Sequence, residues 1–364
     1  MQVAIVADWL TTIGGAERVI AELLTLYPDA TLFATVAKPG LPPPIGGRPV
    51  RTSKLQRWYR LIGRHEPLLP WMPAAVEAFD LRGFDVVISS SHAVAKGIVP
   101  PPTARHICYC HTPARYAWEM ERQYLQDFRI PNMLQQRVRS VLRTLRRWDL
   151  TSAKRVDCYL ANSTTTQERI ERIYGRTSTV VPPPVDDRFF AAPLGAAGDA
   201  APYLALGRLV PYKRFDLLIA VANQRGLPLH IAGGGLDERR LRRMAGPTVR
   251  FLGRVPDSEL PGLYATARAV LLPQLEDAGI VPREALASGT PCIALGEGGV
   301  LDAVRDGENG ILFTAQTPDA VADALRRFEE RSWDRAAIRA SAEAFKRSHF
   351  HAAVRAAVDA QRAG

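Results

Sequence analysis

Two doubly wound α/β domains, each on its own parallel sheet, are what the sequence predicts, and three observations predict them. The chain has 364 residues, whereas one core usually serves roughly 100–200, so a pair of domains is expected. Short apolar runs alternate with helix-length amphipathic segments, which is the pattern of βαβ units. Midway, Pro182-Pro183-Pro184-Val185-Asp186-Asp187 and the Ala/Gly/Pro-rich stretch 191–202 break the periodicity.

In the first half the apolar runs predict strands at 3–7, 85–89, 105–110 and 158–161; in the second, at 203–206, 229–232, 249–252, 269–272 and 291–294. Each half thus reads as a Rossmann-like sheet. The expected division is an N-terminal domain over 1–184, a linker over 185–202, a C-terminal domain over 203–344 and a closing helix within 345–364 that packs back on the first domain. Two domains imply a cleft.

Hydrophobic residues at 47% and charged residues at 23% place the chain among globular proteins and exclude disordered and fibrous classes. Lys and Arg number 47 against 37 Asp and Glu, a net charge of +10. That excess suits a phosphate-rich ligand, an acidic membrane surface or nucleic acid. Cys108, Cys110, Cys158 and Cys292 fit neither a disulfide framework nor paired metal ligands, so reduced thiols in the cytoplasm are expected. Met1 leads directly into a strand with no signal-peptide pattern, and no run approaches the roughly 20 apolar residues of a membrane span. Membrane contact would be peripheral.

The segment from Glu276 to Pro291 carries the most chemistry. It follows an apolar strand, and Pro282 suits the first turn of a helix. Amides of Gly279, Ile280 and Val281 at that helix start favour an anion. Glu276, just outside, suits sugar hydroxyls, and Glu284 lies within the helix. After the strand 203–206 comes Gly207-Arg208, then Lys213, two cations that can neutralise a diphosphate leaving group. Gly14-Gly15 opens a helix after the first strand and permits close backbone approach. His111 ends the strand 105–110, at the edge where open α/β sheets bind ligands. Asp186-Asp187 reads as a turn rather than a metal site.

In this order, from Gly14 to about Val304, these segments resemble glycosyltransferase family 4, whose members are retaining enzymes of GT-B architecture, two facing Rossmann-like domains. His111-Thr112-Pro113 resembles the segment of its O-antigen and exopolysaccharide mannosyltransferase subgroup. The resemblance implies that Glu276 and His111 meet the donor sugar, Glu284 the ribose, and Arg208 and Lys213 the donor phosphates. It further implies that Gly14 and Gly15 face the diphosphate and that Arg254 and Gly233-Gly234-Gly235 surround the base. GDP-mannose is the implied donor, with no metal or other cofactor. The implied acceptor is a lipid-diphosphate-linked oligosaccharide of bacterial surface polysaccharide such as lipopolysaccharide. The chain departs from its near relatives at Ala278, where they carry Phe, and at Asp302, where a Glu is common.

Two basic amphipathic stretches are expected on the acceptor side, against anionic lipid on the inner face of the cytoplasmic membrane. One, 51–64, interleaves Arg51, Lys54, Arg57, Arg60 and Arg64 with Leu55, Trp58, Tyr59, Leu61 and Ile62. The other, 137–147, sets Arg139, Arg143, Arg146 and Arg147 opposite an apolar face of Val138, Val141, Leu142 and Leu145. Three rivals stand beside this reading: a UDP-sugar donor on the same scaffold, a sugar-nucleotide epimerase, and a nucleic-acid-binding protein. The last rests on net charge alone, with no stacking platform or recognition motif, so no nucleic-acid partner is expected.

Overall fold

The computed structural model describes residues 1–42, 45–119, 121, 131–195, 198 and 200–363. It divides into two compact units, one of residues 1–182 with the stretch from Phe350 onward, the other Pro183–His349.

The first unit holds a seven-stranded parallel sheet: β1 (Val3–Ala7), β2 (Thr31–Ala34), β3 (Val50–Thr52), β4 (Val86–Ser91), β5 (Arg105–Cys110), β6 (Cys158–Ala161) and β7 (Thr179–Val180). Their spatial order is β3-β2-β1-β4-β5-β6-β7. Strands β1 to β3 build outward on one side of β1 and β4 to β7 on the other. The reversal therefore lies between β1 and β4, where a doubly wound sheet opens a crevice beyond its carboxyl ends. β1 is buried along its whole length. That is why it reads as an unbroken apolar run rather than an alternation. β2, β3 and β7 were not anticipated, because two to four residues are too few to display a period.

Phe350, Val354 and Val358, one turn apart on the closing helix Arg347–Ala363, enter this core beside Leu23 and Tyr109. The helix Asn132–Ala153 packs Leu142 and Leu145 against Ala114 and Ala117. It also carries Asp149, which pairs with Lys96; both are almost fully enclosed. Trp118 Nε1 (2.7 Å) and the Tyr174 hydroxyl (2.9 Å) donate to the second oxygen of Asp149. A buried pair so fully satisfied is a structural lock. The four cysteines are free thiols, all buried but Cys158.

The second unit holds six parallel strands: β8 (Tyr203–Leu206), β9 (Leu229–Ala232), β10 (Val249–Gly253), β11 (Val270–Leu272), β12 (Cys292–Leu295) and β13 (Gly310–Phe313). Their order, β10-β9-β8-β11-β12-β13, reverses between β8 and β11. Much of the stretch expected as a linker belongs to this unit. Val185 bridges to Lys346, and Asp186 caps the helix Asp187–Ala191 by accepting the Arg188 N–H at 3.1 Å. Phe189 lies buried against Tyr264 and Leu286. An aromatic anchor makes that segment part of the core. Residues 196, 197 and 199 of the same stretch lie outside the described residues.

Candidate functional site

In the second unit the site forms where β8 and β11 part. After β8 the chain turns at Gly207, whose φ of 149° belongs to glycine; a Cβ there would stand 3.0 Å from Lys213 Nζ. The bare backbone lets the ammonium lie against the turn. Lys213 ends the short turn Pro211–Lys213, and Arg214 follows at φ 53°, a left-handed conformation that starts the helix Phe215–Arg225. Arg214 Nε reaches Asp216 at 3.2 Å, so this cation is engaged locally.

Lys213 Nζ meets Glu276 Oε1 at 3.0 Å across the reversal, with side chains 11% and 25% exposed. Gln274 Nε2 donates to the same oxygen at 2.9 Å. The Glu276 main chain is fixed from β12's loop, where the Gly299 N–H donates to its carbonyl at 2.8 Å. Three residues on, Gly279 at φ 61° caps the helix Ile280–Ala287, and a Cβ would approach the Gly299 carbonyl to 2.7 Å. Only glycine fits, so the amides of Ile280 and Val281 open the helix beside the Glu276 loop. Glu284 sits one turn in, nearly buried, and accepts from the Tyr264 hydroxyl at 2.9 Å.

The structure thus brings Lys213, Glu276, Gly207 and Gly279 together. Arg208 instead lies exposed, its Nη2 3.4 Å from the Tyr212 hydroxyl, and Arg254 is exposed at the end of β10. Carboxylate and ammonium within reach of each other form a neutral pair, and either can turn to a ligand of opposite charge.

In the first unit the residues gather at the other reversal. His111 follows β5; Ser90 Oγ and His111 Nε2 share a hydrogen bond of 2.8 Å. Its carbonyl accepts from Asn162 Nδ2 at 2.8 Å and from Thr166 Oγ1 at 3.2 Å. Burial, with His92 nearby, pushes the imidazole down to about 3 against the opposing pull of Asp8. It is therefore neutral at physiological pH, able to hydrogen-bond a hydroxyl but not to balance a phosphate. Gly14 caps the helix Gly15–Leu26 in an extended conformation, and its N–H donates to Glu17 Oε2 at 2.9 Å.

Sequence reasoning missed Asp8 and His92, the residues that follow β1 and β4. The Asp8 carboxylate accepts N–H groups from His92 (2.7 Å), Ala93 (3.1 Å), Val94 (2.5 Å) and Ala95 (2.5 Å), and sits 2.9 Å from His92 Nδ1. The signal that selected His111, a polar residue at a strand's carboxyl end, was present at both.

Of the basic stretches, the helix Gln56–Ile62 is open: Trp58 is 58% and Leu61 78% exposed, and Arg57 is exposed too. Arg143 and Arg147 are likewise exposed. Arg146 corrects the expectation for 137–147. It pairs with Glu121 at 2.6 Å, donates to the Ala117 carbonyl and lies 6.0 Å from the Trp118 ring. It clamps the helix Arg115–Trp118 to the helix Asn132–Ala153, and a guanidinium so engaged does not present itself to lipid. No helix among the described residues is long and apolar enough to cross a membrane.

The sequence pattern of Glycosyltransferase Family 4 matches residues 13–189, and that of Glycosyl transferases group 1 matches residues 186–345, so the two together run through nearly the whole chain. The chain belongs to the group 1, family 4 glycosyltransferases. It is 34% identical over 208 residues to a D-inositol 3-phosphate glycosyltransferase of Nocardioides sp., covering 50% of this chain and 44% of that protein. Over 192 residues it is 33% identical to the GDP-mannose-dependent alpha-(1-6)-phosphatidylinositol monomannoside mannosyltransferase of Mycobacterium tuberculosis, covering 45% and 50%. The matched stretch thus spans about half the length of either relative. Among solved structures, sucrose-phosphate synthase of Thermosynechococcus elongatus superposes with a TM-score of 0.74 at 18% identity over 100% of both chains. HepE of Anabaena, in complex with UDP, gives 0.70 at 16% over 99% of this chain and 100% of its own. The fold of this glycosyltransferase is the two-sheet α/β fold of the GT-B enzymes.

Proposed function

We propose that the protein is a retaining glycosyltransferase that moves mannose from GDP-mannose to a lipid-diphosphate-linked oligosaccharide of a bacterial surface polysaccharide. The observation that carries this reading is the Lys213–Glu276 pair at the reversal of the second sheet, 3.0 Å apart beside the helix start at Gly279. A donor diphosphate takes Lys213, whose charge offsets the charge that grows on the departing phosphate. Glu276 is released to the sugar hydroxyls, and Glu284 accepts from the ribose. Arg208 and Arg254, being exposed, are available to the phosphates and base. His111, neutral, hydrogen-bonds the donor sugar. No metal is needed when a lysine and helix amides neutralise the diphosphate.

The mannosyl assignment is supported by the mycobacterial relative, a GDP-mannose-dependent mannosyltransferase. The exposed Arg57, Trp58 and Leu61, an aromatic and aliphatic surface edged by cations, support peripheral attachment to an anionic membrane. A thermal-shift series tests the donor. GDP-mannose at 100 times its dissociation constant stabilises by about 2.7 kcal/mol, and GDP ligands are expected to exceed UDP counterparts, with EDTA making no difference. Equal or reversed shifts remove the mannose assignment. No shift with any nucleotide sugar overturns the reading as a whole.

A further inference from the structure

The loop after β11 buries a side chain whose chemistry is half used. Gln274 is 2% exposed, and Gln316 Nε2 donates to the Pro273 carbonyl just before it at 2.7 Å. Glu276, two residues on, is bridged to Gly298, with the Gly299 N–H on its carbonyl. The main chain around Gln274 is therefore pinned on both sides. Gln274 Nε2 donates to Glu276 Oε1 at 2.9 Å, the oxygen that also receives Lys213 Nζ. A carboxylate paired with an ammonium only accepts, so the amide must turn its nitrogen to Glu276 and its oxygen away. Among the described residues that oxygen, Gln274 Oε1, has no hydrogen-bond partner although it is enclosed. An enclosed carbonyl without a donor is unfavourable, and folded proteins keep few of them.

The place of this oxygen selects the partner it lacks. It belongs to the residue that holds Glu276, at the reversal between β8 and β11 and just before the helix Ile280–Ala287. An amide oxygen takes only a donor, so the oxygens of a phosphate do not suit it. Lys213, the cation at this reversal, is committed to Glu276. A sugar hydroxyl, which donates as readily as it accepts, fits the Gln274 oxygen and the Glu276 carboxylate alike.

We infer that Gln274 is a sugar-specificity residue of the donor site: its Oε1 accepts a hydrogen bond from one hydroxyl of the transferred sugar while its Nε2 keeps hold of Glu276. This rests on the glycosyltransferase reading above. When Lys213 turns to the donor diphosphate, its pair with Glu276 opens and the Gln274 oxygen is uncovered. Gln274 stays in place, so the freed carboxylate is held for a second hydroxyl of the same sugar. Two acceptors tied by one hydrogen bond read two hydroxyls in a fixed relation, and hexoses differ in that relation. GDP alone brings no such hydroxyl and leaves the oxygen unsatisfied.

The test is titration calorimetry on the full chain with GDP, GDP-mannose and analogues of GDP-mannose that each lack one sugar hydroxyl. It compares the wild type with Gln274→Met, which keeps the length of the side chain and removes both polar atoms. The variant is expected to bind GDP-mannose about tenfold more weakly, the worth of one hydrogen bond, and GDP as before. In the wild type one analogue should lose a similar factor, and the variant should bind that analogue no worse than GDP-mannose itself. Losses that multiply at every hydroxyl mean that water or the protein satisfies the oxygen, and equal weakening of GDP and GDP-mannose means a structural role; either overturns the inference. A second readout needs no variant affinity: the Gln274 side-chain carbonyl carbon of the wild type should shift on adding GDP-mannose beyond any change that GDP causes. An unmoved resonance sinks the proposal even if GDP-mannose binds. A wild type that binds no nucleotide sugar defeats the functional reading and this inference together. One that takes UDP-glucose instead defeats the mannose assignment alone, and the same comparison is then made with that donor and its analogues.

Discussion

The two sheets reverse direction at equivalent places, between β1 and β4 and between β8 and β11, and each reversal is bridged by one ion pair. The pairs differ in who satisfies the carboxylate. Asp8 is saturated by the backbone of the loop after β4, in a site closed to water. Glu276 is held by two side chains, Lys213 and Gln274, and remains partly exposed. Backbone donors cannot leave without unfolding the loop, whereas side chains rotate away when a ligand offers better partners. The first carboxylate is thus part of the frame and the second is exchangeable.

That contrast breaks if stability does not follow it. Asp8→Asn should destabilise the protein by about 3–5 kcal/mol, since it replaces an anion that buried N–H groups were built around. Glu276→Gln should cost about 1 kcal/mol or less, as expected for a partly exposed pair. Urea titration of both variants decides, and equal losses would erase the distinction. The Asp8 carboxyl is lowered in the folded state from 3.8 to about 2. Its contribution is therefore complete above pH about 4 and is lost as pH falls towards 2, an acid sensitivity that Asp8→Asn should blunt.

Lys213→Ala should lower kcat about 10²–10³-fold, the usual loss of one donor to a developing oxyanion, with a smaller change in GDP affinity by titration calorimetry. Full turnover by this variant would mean that the exchangeable pair is not the donor's diphosphate site.

The smallest effect concerns the surface. Replacing Arg57 and Trp58 together should weaken sedimentation with phosphatidylserine vesicles, at about 1 kcal/mol per basic residue near the lipid, and the deficit should shrink at high salt. Replacing Arg143 and Arg147 serves as the comparison on the other helix. If only the latter change matters, the lipid-facing surface lies on the helix Asn132–Ala153 and not on Gln56–Ile62.

By itself the sequence determined the strands whose residues are buried on both faces. β1, β5, β6, β8 and β9 appear with the expected bounds because an enclosed parallel strand reads as a mainly apolar run, interrupted here by Arg105 and His106 in β5 and His230 in β9. It also placed Lys213, Glu276, Gly279 and His111 at strand ends, because the turns there demand glycine, proline and polar residues in fixed succession. Only the tertiary structure decided which of these meet. Lys213 and Glu276 are 63 positions apart, and Asp8 and the His92 amide 84. Such pairings are set by strand order, which no local pattern encodes. The same holds for Arg146, whose periodicity put it on the polar face while Glu121 and the Ala117 carbonyl draw it inward. It holds for His111 too: residue type allows a charged or a neutral ring, and burial beyond β5 chose the neutral one.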